Sequence, residues 1–198
     1  MCLIIPFFGG ECKGEMMNRV LVIGGCGAGK TTFAKKLAAI TNLPLTHLDV
    51  LGWRGDWEKV PREEFDAQLA QVVAGERWII DGNYGRTIPM RLERADTVFW
   101  FDLPGVVCAC GVIRRILGSR GRTRDDMGGN CRETLDRERL AFIRYALTMN
   151  RKKRPAVRRM LAEHPEVRVI VFRTRHQADR YFKSLAESGE EEQKHGVE

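Results

Sequence analysis

The sequence predicts an α/β fold in which a parallel sheet is covered by helices on both faces. Two observations carry that reading. Short runs of β-branched and aromatic residues alternate along the chain with stretches of helical periodicity. A glycine-rich segment, Gly24-Gly25-Cys26-Gly27-Ala28-Gly29-Lys30-Thr31, also lies between the first such run and the first such stretch. Strands joined by helical crossovers run parallel, and a parallel sheet needs cover on both faces.

The elements follow in order. Residues 19–23 read as a buried strand, and residues 29–40 as a helix with Phe33, Leu37 and Ile40 on one face. Residues 45–48 form a short second strand. A helix opens at Val60-Pro61, since proline suits a first helical turn; Phe65, Leu69, Val72 and Val73 make its apolar stripe and Gly75 ends it. Residues 78–81 and 97–102 are the third and fourth strands. Asp102-Leu103-Pro104 reads as a helix start with Asp102 as its N-cap, and that helix runs to about residue 117. Residues 167–172 make the fifth strand, before a last helix that ends near residue 186. The domain is expected over residues 17–187. Residues 1–16, ahead of Met17, read as a flexible leader or an upstream start, and the polar, acidic residues 188–198 as a disordered tail.

Composition excludes several classes of protein. With 198 residues, 43% hydrophobic and 30% charged, the chain is long and apolar enough for one full core. Its longest apolar run, residues 2–8, is broken by Pro6 and is far short of a membrane span. No basic residue precedes that run and Glu11 follows it, unlike a secretory signal. The six cysteines are therefore expected as reduced thiols in the cytoplasm, without a structural disulfide. Cys108 and Cys110 lack a second ligand pair and a nearby histidine, so they read as buried helix residues rather than metal ligands. Charge is uneven: residues 111–160 hold fifteen basic and five acidic side chains, a net +10 that leaves −3 for the rest of a chain whose total is +7. Such a stretch attracts polyanions, whether nucleic acid or the phosphates of a nucleotide.

The glycine-rich segment fits G-x-x-x-x-G-K-[ST] at every specified position. In a strand–loop–helix setting its glycines let successive backbone N–H groups converge on phosphate oxygens. Lys30 would reach the β and γ phosphates and Thr31 would place its hydroxyl on Mg²⁺. The expected nucleotide contacts run over residues 24–31 and on to Thr32. A metal-side carboxylate is also needed, and two strands end in one. Asp102 is absorbed by the helix start; Asp81 is followed by a loop, Gly82-Asn83-Tyr84-Gly85, and takes the role, directly or through water.

Asp81-Gly82 followed by Arg86-Thr87, then Phe101-Asp102-Leu103-Pro104, then an arginine-rich segment, resembles the adenylate kinase and shikimate kinase group. The chain resembles more closely the bacterial family of DNA topology modulation (FlaR-related) proteins. That likeness lies in His47-Leu48-Asp49, Trp78-Ile79-Ile80-Asp81-Gly82-Asn83-Tyr84, Arg91-Leu92-Glu93-Arg94-Ala95-Asp96 and Arg120-Gly121-Arg122-Thr123-Arg124, over about residues 19–186. The resemblance implies a three-layer P-loop kinase fold: a five-stranded parallel sheet in the order 2-3-1-4-5, helices on both faces and a short arginine-rich lid. Departures from adenylate kinases are Cys26 in place of proline, a longer Asp-Gly-to-Arg spacing and a lid without a cysteine quartet, so AMP is not carried over as acceptor.

Within that frame Asp49 stands where small-molecule kinases of the group hold an acceptor-binding or base carboxylate; by its residue type alone it is equally a helix-cap or turn residue. Arg86 is expected on the acceptor side. Arg120, Arg122 and Arg124, among Gly118, Gly121 and Gly128, suit a lid over about residues 119–132 closing on the phosphates, with Arg120 touching nucleotide. Trp53 and Trp57 either stack on a ligand ring or pack in the core. The function expected is ATP-dependent phosphoryl transfer, with Mg²⁺, to an unidentified small acceptor and without a membrane partner. The alternatives are a nucleotide-regulated DNA-binding protein and a bare NTPase.

Overall fold

The computed structural model describes residues 4–6, 17–118 and 137–195, with side chains for all of these except 4–6 and 186–195. Six strands form one parallel sheet: β1 (Ile4–Pro6), β2 (Arg19–Gly24), β3 (Leu45–His47), β4 (Trp78–Asp81), β5 (Thr97–Phe101) and β6 (Arg168–Phe172). Their order is β1-β6-β5-β2-β4-β3. Counted from Arg19, the five expected strands stand in the order 2-3-1-4-5. The sixth, β1, lies within the stretch read as a leader and pairs Ile4 to Val169 at the β6 edge.

Side chains alternate across each strand and so divide the core into two layers. On β2, Leu21 and Ile23 face one side with Trp78, Val98 and Trp100, while Val20 and Val22 face the other with Ile79, Phe99 and Phe101. The first layer is covered by α3 (Arg62–Ala74) through Phe65, Leu69 and Val73, by α4 (Ile88–Leu92), and by Leu161 of α6 (Arg137–Ala162). The second is covered by α1 (Lys30–Thr41) and α7 (Arg175–His195). There Phe33 stands among rings: Phe99, Phe101, Phe172 and Phe182 lie with centroids 4.6–5.4 Å away. Ile40, assigned by periodicity to the same stripe as Phe33 and Leu37, is 46% exposed. A five-residue helix, α2 (Leu48–Gly52), follows β3, and α5 (Gly105–Gly118) packs against α6.

Several expectations are corrected. Asp102 does not cap α5: the helix begins at Gly105, which puts the cap position at Pro104, and the buried Asp102 carboxylate instead accepts a hydrogen bond from Arg154 Nε of α6 at 2.8 Å. The last helix continues to His195, over most of the stretch read as a disordered tail, through glutamate, glutamine and lysine, which are good helix formers. Cys108 is buried as expected, but Cys110, two residues on along the same helix, turns to the opposite side and is exposed. Helix α6 has no place in the hydropathy pattern because nine basic residues interrupt its apolar positions; Ala146, Met149 and Leu161 are its buried apolar residues, with Asn150 buried among them. Among the described residues, no helix is long and apolar enough to cross a membrane.

The ring cluster makes a quantitative expectation. Phe33→Ala should lower the free energy of unfolding in urea by about 3–5 kcal/mol, the range for a fully buried phenylalanine. Ile40→Ala, about two turns along the same helix, should change it by less than about 0.5 kcal/mol.

Candidate active site

Because every strand is parallel, the C-terminal ends of β2, β3, β4 and β5 share one edge of the sheet, and the cleft opens there. The phosphate loop crosses this edge between β2 and α1. Gly24 (φ 135°) and Gly27 (φ 73°) adopt left-handed backbone, and a Cβ on them would run into the carbonyl oxygens of Phe101 and Cys108. Glycine is thus required both for conformation and for the close approach of the loop to β5 and α5. Lys30 Nζ arches back to donate to Gly25 O at 2.8 Å. From the start of α7, Arg175 donates to Gly27 O at 2.8 Å. Asn83 fastens the root of the loop: Gly24 N–H donates to Asn83 Oδ1 at 2.8 Å, and Asn83 Nδ2 donates to Gly24 O.

Asp81, the last residue of β4, stands beside the loop and is 5% exposed. Its Oδ2 accepts from the Thr31 hydroxyl at 2.7 Å and faces His47 Nδ1 at 3.0 Å. Strand register explains the second contact, since His47 of β3 pairs directly with Asp81. The other oxygen, Oδ1, is buried and has no hydrogen-bond partner among the described residues. A buried carboxylate oxygen left unpaired is costly unless a cation or bound water meets it. The hard oxygen donors Thr31 and Asp81, with one carboxylate oxygen unspent, therefore fit Mg²⁺.

The opposite wall of the cleft is built by α2, by the turn after β4 and by a small hairpin closed by a bridge between Trp53 and Lys59. The Tyr84 phenol lies beside the Asp49 carboxylate. Burial foremost, and the Asp49 charge beside it, push the Tyr84 phenol above its usual range. The Tyr84 ring stacks on Phe65 at 4.7 Å, and its hydroxyl occupies the space that a Cβ on Gly52 would take. Trp53 and Trp57 meet edge to face at 5.6 Å as half-buried members of the cleft wall. The Arg139 guanidinium of α6 lies 4.0 Å above the Trp57 ring.

Of the residues singled out in the sequence, the cleft gathers Cys26, Gly27, Ala28, Gly29, Lys30, Thr31, Thr32, Asp49, Asp81 and Arg86 into one wall-to-wall arrangement. Gly24 and Gly25 anchor the loop from beneath. Arg86 is engaged: Nη1 and Nη2 bind Asp66 of α3 bidentately at 2.8 and 2.6 Å, and this guanidinium holds the Asp66 carboxyl below its ordinary range. Arg120, Arg122 and Arg124 lie outside the described residues, as does the whole expected lid. Sequence reasoning assigned no role to His47, Asn83, Arg139 or Arg175. His47 was not legible as the partner of Asp81, because the second strand was expected over residues 45–48 whereas it ends at His47.

No protein-family model matches the chain, and no curated protein matches it. Among solved structures it is similar to the shikimate kinase of Bacteroides thetaiotaomicron, with 21% identity over 88% of this chain and 98% of that one and a TM-score of 0.48. It is also similar to the shikimate kinase of Aquifex aeolicus, with 17% identity over 86% and 98% and a TM-score of 0.47.

Two outcomes follow from the geometry. If the cleft turns over Mg-ATP, Asp81→Asn should lower that turnover about 100-fold or more, the usual loss when one electrostatic stabiliser of the transition state is removed. Asp102→Asn should instead weaken the buried contact to Arg154 and register in urea denaturation, with turnover nearly intact. Burial covers the Cys108 thiol and raises its pKa, so brief iodoacetamide treatment of the folded protein should label exposed Cys110 well before Cys108, as read by peptide mapping.

Proposed function

We propose that the chain is a P-loop phosphotransferase that passes the γ-phosphoryl group of Mg-ATP to a hydroxyl of a small acceptor. The observation that carries this reading is the Thr31–Asp81 pair at the foot of the phosphate loop, with Asp81 Oδ1 buried and unspent. Thr31 and Asp81 would hold Mg²⁺, which supplies charge neutralisation on the β and γ phosphates. The backbone of residues 25–30 and the start of α1 would bind the phosphates, and Lys30, released from Gly25 O, would contact the transferring group. Across the cleft, Asp49 accepts the proton of the acceptor hydroxyl as that oxygen forms its bond to the γ-phosphorus. The bond from the γ-phosphorus to the bridging oxygen breaks and ADP leaves. Trp53 and Trp57 offer ring faces to the acceptor.

A second reading has its own observation. Arg137, Arg144, Arg151 and Arg158 recur every seven residues on α6, are exposed, and do not line the cleft. They form a basic ridge that ATP phosphates do not explain, and the resemblance to the DNA topology modulation family supports nucleic acid as its partner. Duplex DNA binding that falls steeply with salt and persists in saturating Mg-ATP would support this reading; binding that nucleotide displaces would place the DNA in the kinase cleft.

The kinase reading is tested with γ-labelled ATP offered with nucleotides, sugars and small hydroxy acids. Label should pass to one class of acceptor, and Lys30→Ala should abolish the transfer without lowering the thermal midpoint. Hydrolysis of ATP with no transfer to any acceptor would favour the bare NTPase.

A further inference from the structure

One buried ionisable group has no part in the chemistry above. Arg91, on α4, is wholly inaccessible to solvent. Its hydrogen bonds all go to backbone carbonyls: Nε donates to Thr87 O at 3.2 Å, Nη1 to Gly82 O at 3.0 Å, and Nη2 to Asn83 O at 2.5 Å and, more weakly, to Tyr84 O at 3.5 Å. Among the described residues no carboxylate forms an ion pair with it. Burial lowers its pKa to about 9, which leaves the guanidinium charged at neutral pH. Enclosing a charge without a counter-charge is expensive. The packing of α4 does not call for one, since Ile88 and Leu92 already seat the helix in the core.

The three consecutive carbonyls show what the charge holds. They belong to the turn that follows Asp81, whose backbone is left-handed at Gly82 (φ 139°) and at Tyr84 (φ 31°). For a tyrosine that conformation is unfavourable, and it persists only where the surroundings impose it. Each residue of the stretch serves a different part of the site: Asp81 takes Thr31, Asn83 fastens Gly24 of the phosphate loop, and the Tyr84 phenol stands beside Asp49. We infer that Arg91 is a positioning residue of the phosphoryl-transfer site, its planar guanidinium fixing the turn of residues 82–84 and with it the spacing between metal carboxylate, phosphate loop and acceptor-side carboxylate. This rests on the phosphotransferase reading. A guanidinium suits the task because its donors are rigidly coplanar and can meet several carbonyls at once, whereas a lysine ammonium is a single point on a flexible stem.

The experiment compares Arg91→Met, which keeps the volume and removes the donors, with Arg91→Lys. Thermal unfolding, ATP affinity in EDTA, ATP affinity in Mg²⁺, and kcat and KM for Mg-ATP are measured for each. R91M is expected to unfold cooperatively and to bind ATP in EDTA within about threefold of wild type, with kcat about 100-fold lower, the loss typical of an ångström-scale misplacement. R91K should recover about tenfold of that loss. A folded R91M with kcat within threefold of wild type overturns the inference. So does a fall in EDTA-state ATP affinity equal to the fall in kcat, which is what general loosening of the fold would produce. If R91M does not fold, Asn83→Ala with R91K decides: N83A should lose kcat with its thermal midpoint kept, and N83A/R91K should lose less than the product of the two single losses, while a fully multiplicative loss overturns the inference. If the wild-type protein transfers phosphate to nothing, the kinase reading fails separately. Arg91 is then read through the Mg²⁺-dependent gain in ATP affinity, which R91M should lose and which, if retained, overturns it.

Discussion

The structure depends on one constraint: all of its strands point the same way. A parallel sheet leaves its C-terminal strand ends side by side, so whatever residues end the strands become neighbours without any contact between them along the chain. In the middle of the cleft edge those residues are Gly24, His47, Asp81 and Phe101, with Phe172 of β6 next to Phe101. Their proximity costs the protein no special arrangement; it follows from the strand order and from the register that pairs His47 with Asp81 and Gly24 with Phe101. Five residues of the phosphate loop then separate the end of β2 from the start of helix α1 at the same edge. The two-layer core serves this edge by holding the strands flush, with Phe33, on the same helix as Lys30 and Thr31, locked among rings.

Most of this was legible in the sequence, because the evidence for it is local. A run of β-branched residues, a glycine-rich loop and an amphipathic stretch are each readable in a window of a dozen residues, and together they fix the loop, Lys30, Thr31 and Asp81. What was not legible is long-range or written in polar residues. Asp102 looks like a cap in its own neighbourhood, and only the arrival of Arg154 from fifty-two residues away shows its real partner. Helix α6 is hidden because its exposed face is so rich in arginine and lysine that the three or four apolar positions facing inward leave no periodic signal. Asn83 and Arg91 are polar residues whose partners are backbone groups, and backbone groups carry no sequence signature at all.

The basic stretch shows how a fold divides what composition lumps together. Arg114, Arg115, Arg139 and Lys153 turn toward the cleft, Arg154 turns inward to Asp102, and Arg137, Arg144, Arg151 and Arg158 turn to solvent. The helical repeat alone accomplishes this, since residues seven apart share a face while neighbours differ by about 100°. One run of positive charge thereby serves three environments, and its total says little about any one of them.

The contact between Asn83 and Gly24 also has a chemical side. A carboxamide carries the same pair of groups as a peptide unit, one N–H donor and one C=O acceptor, and Asn83 uses both against the donor and acceptor of a single residue. The side chain thus acts as one more rung of the ladder between β4 and β2, placed just past the point where the strands themselves diverge. Only glutamine shares that chemistry, and it is too long to fit the same span. Hydrolysis of the amide to aspartate, a slow spontaneous ageing reaction of asparagine, would erase the donor and set a carboxylate against the Gly24 carbonyl at the root of an anion-binding loop.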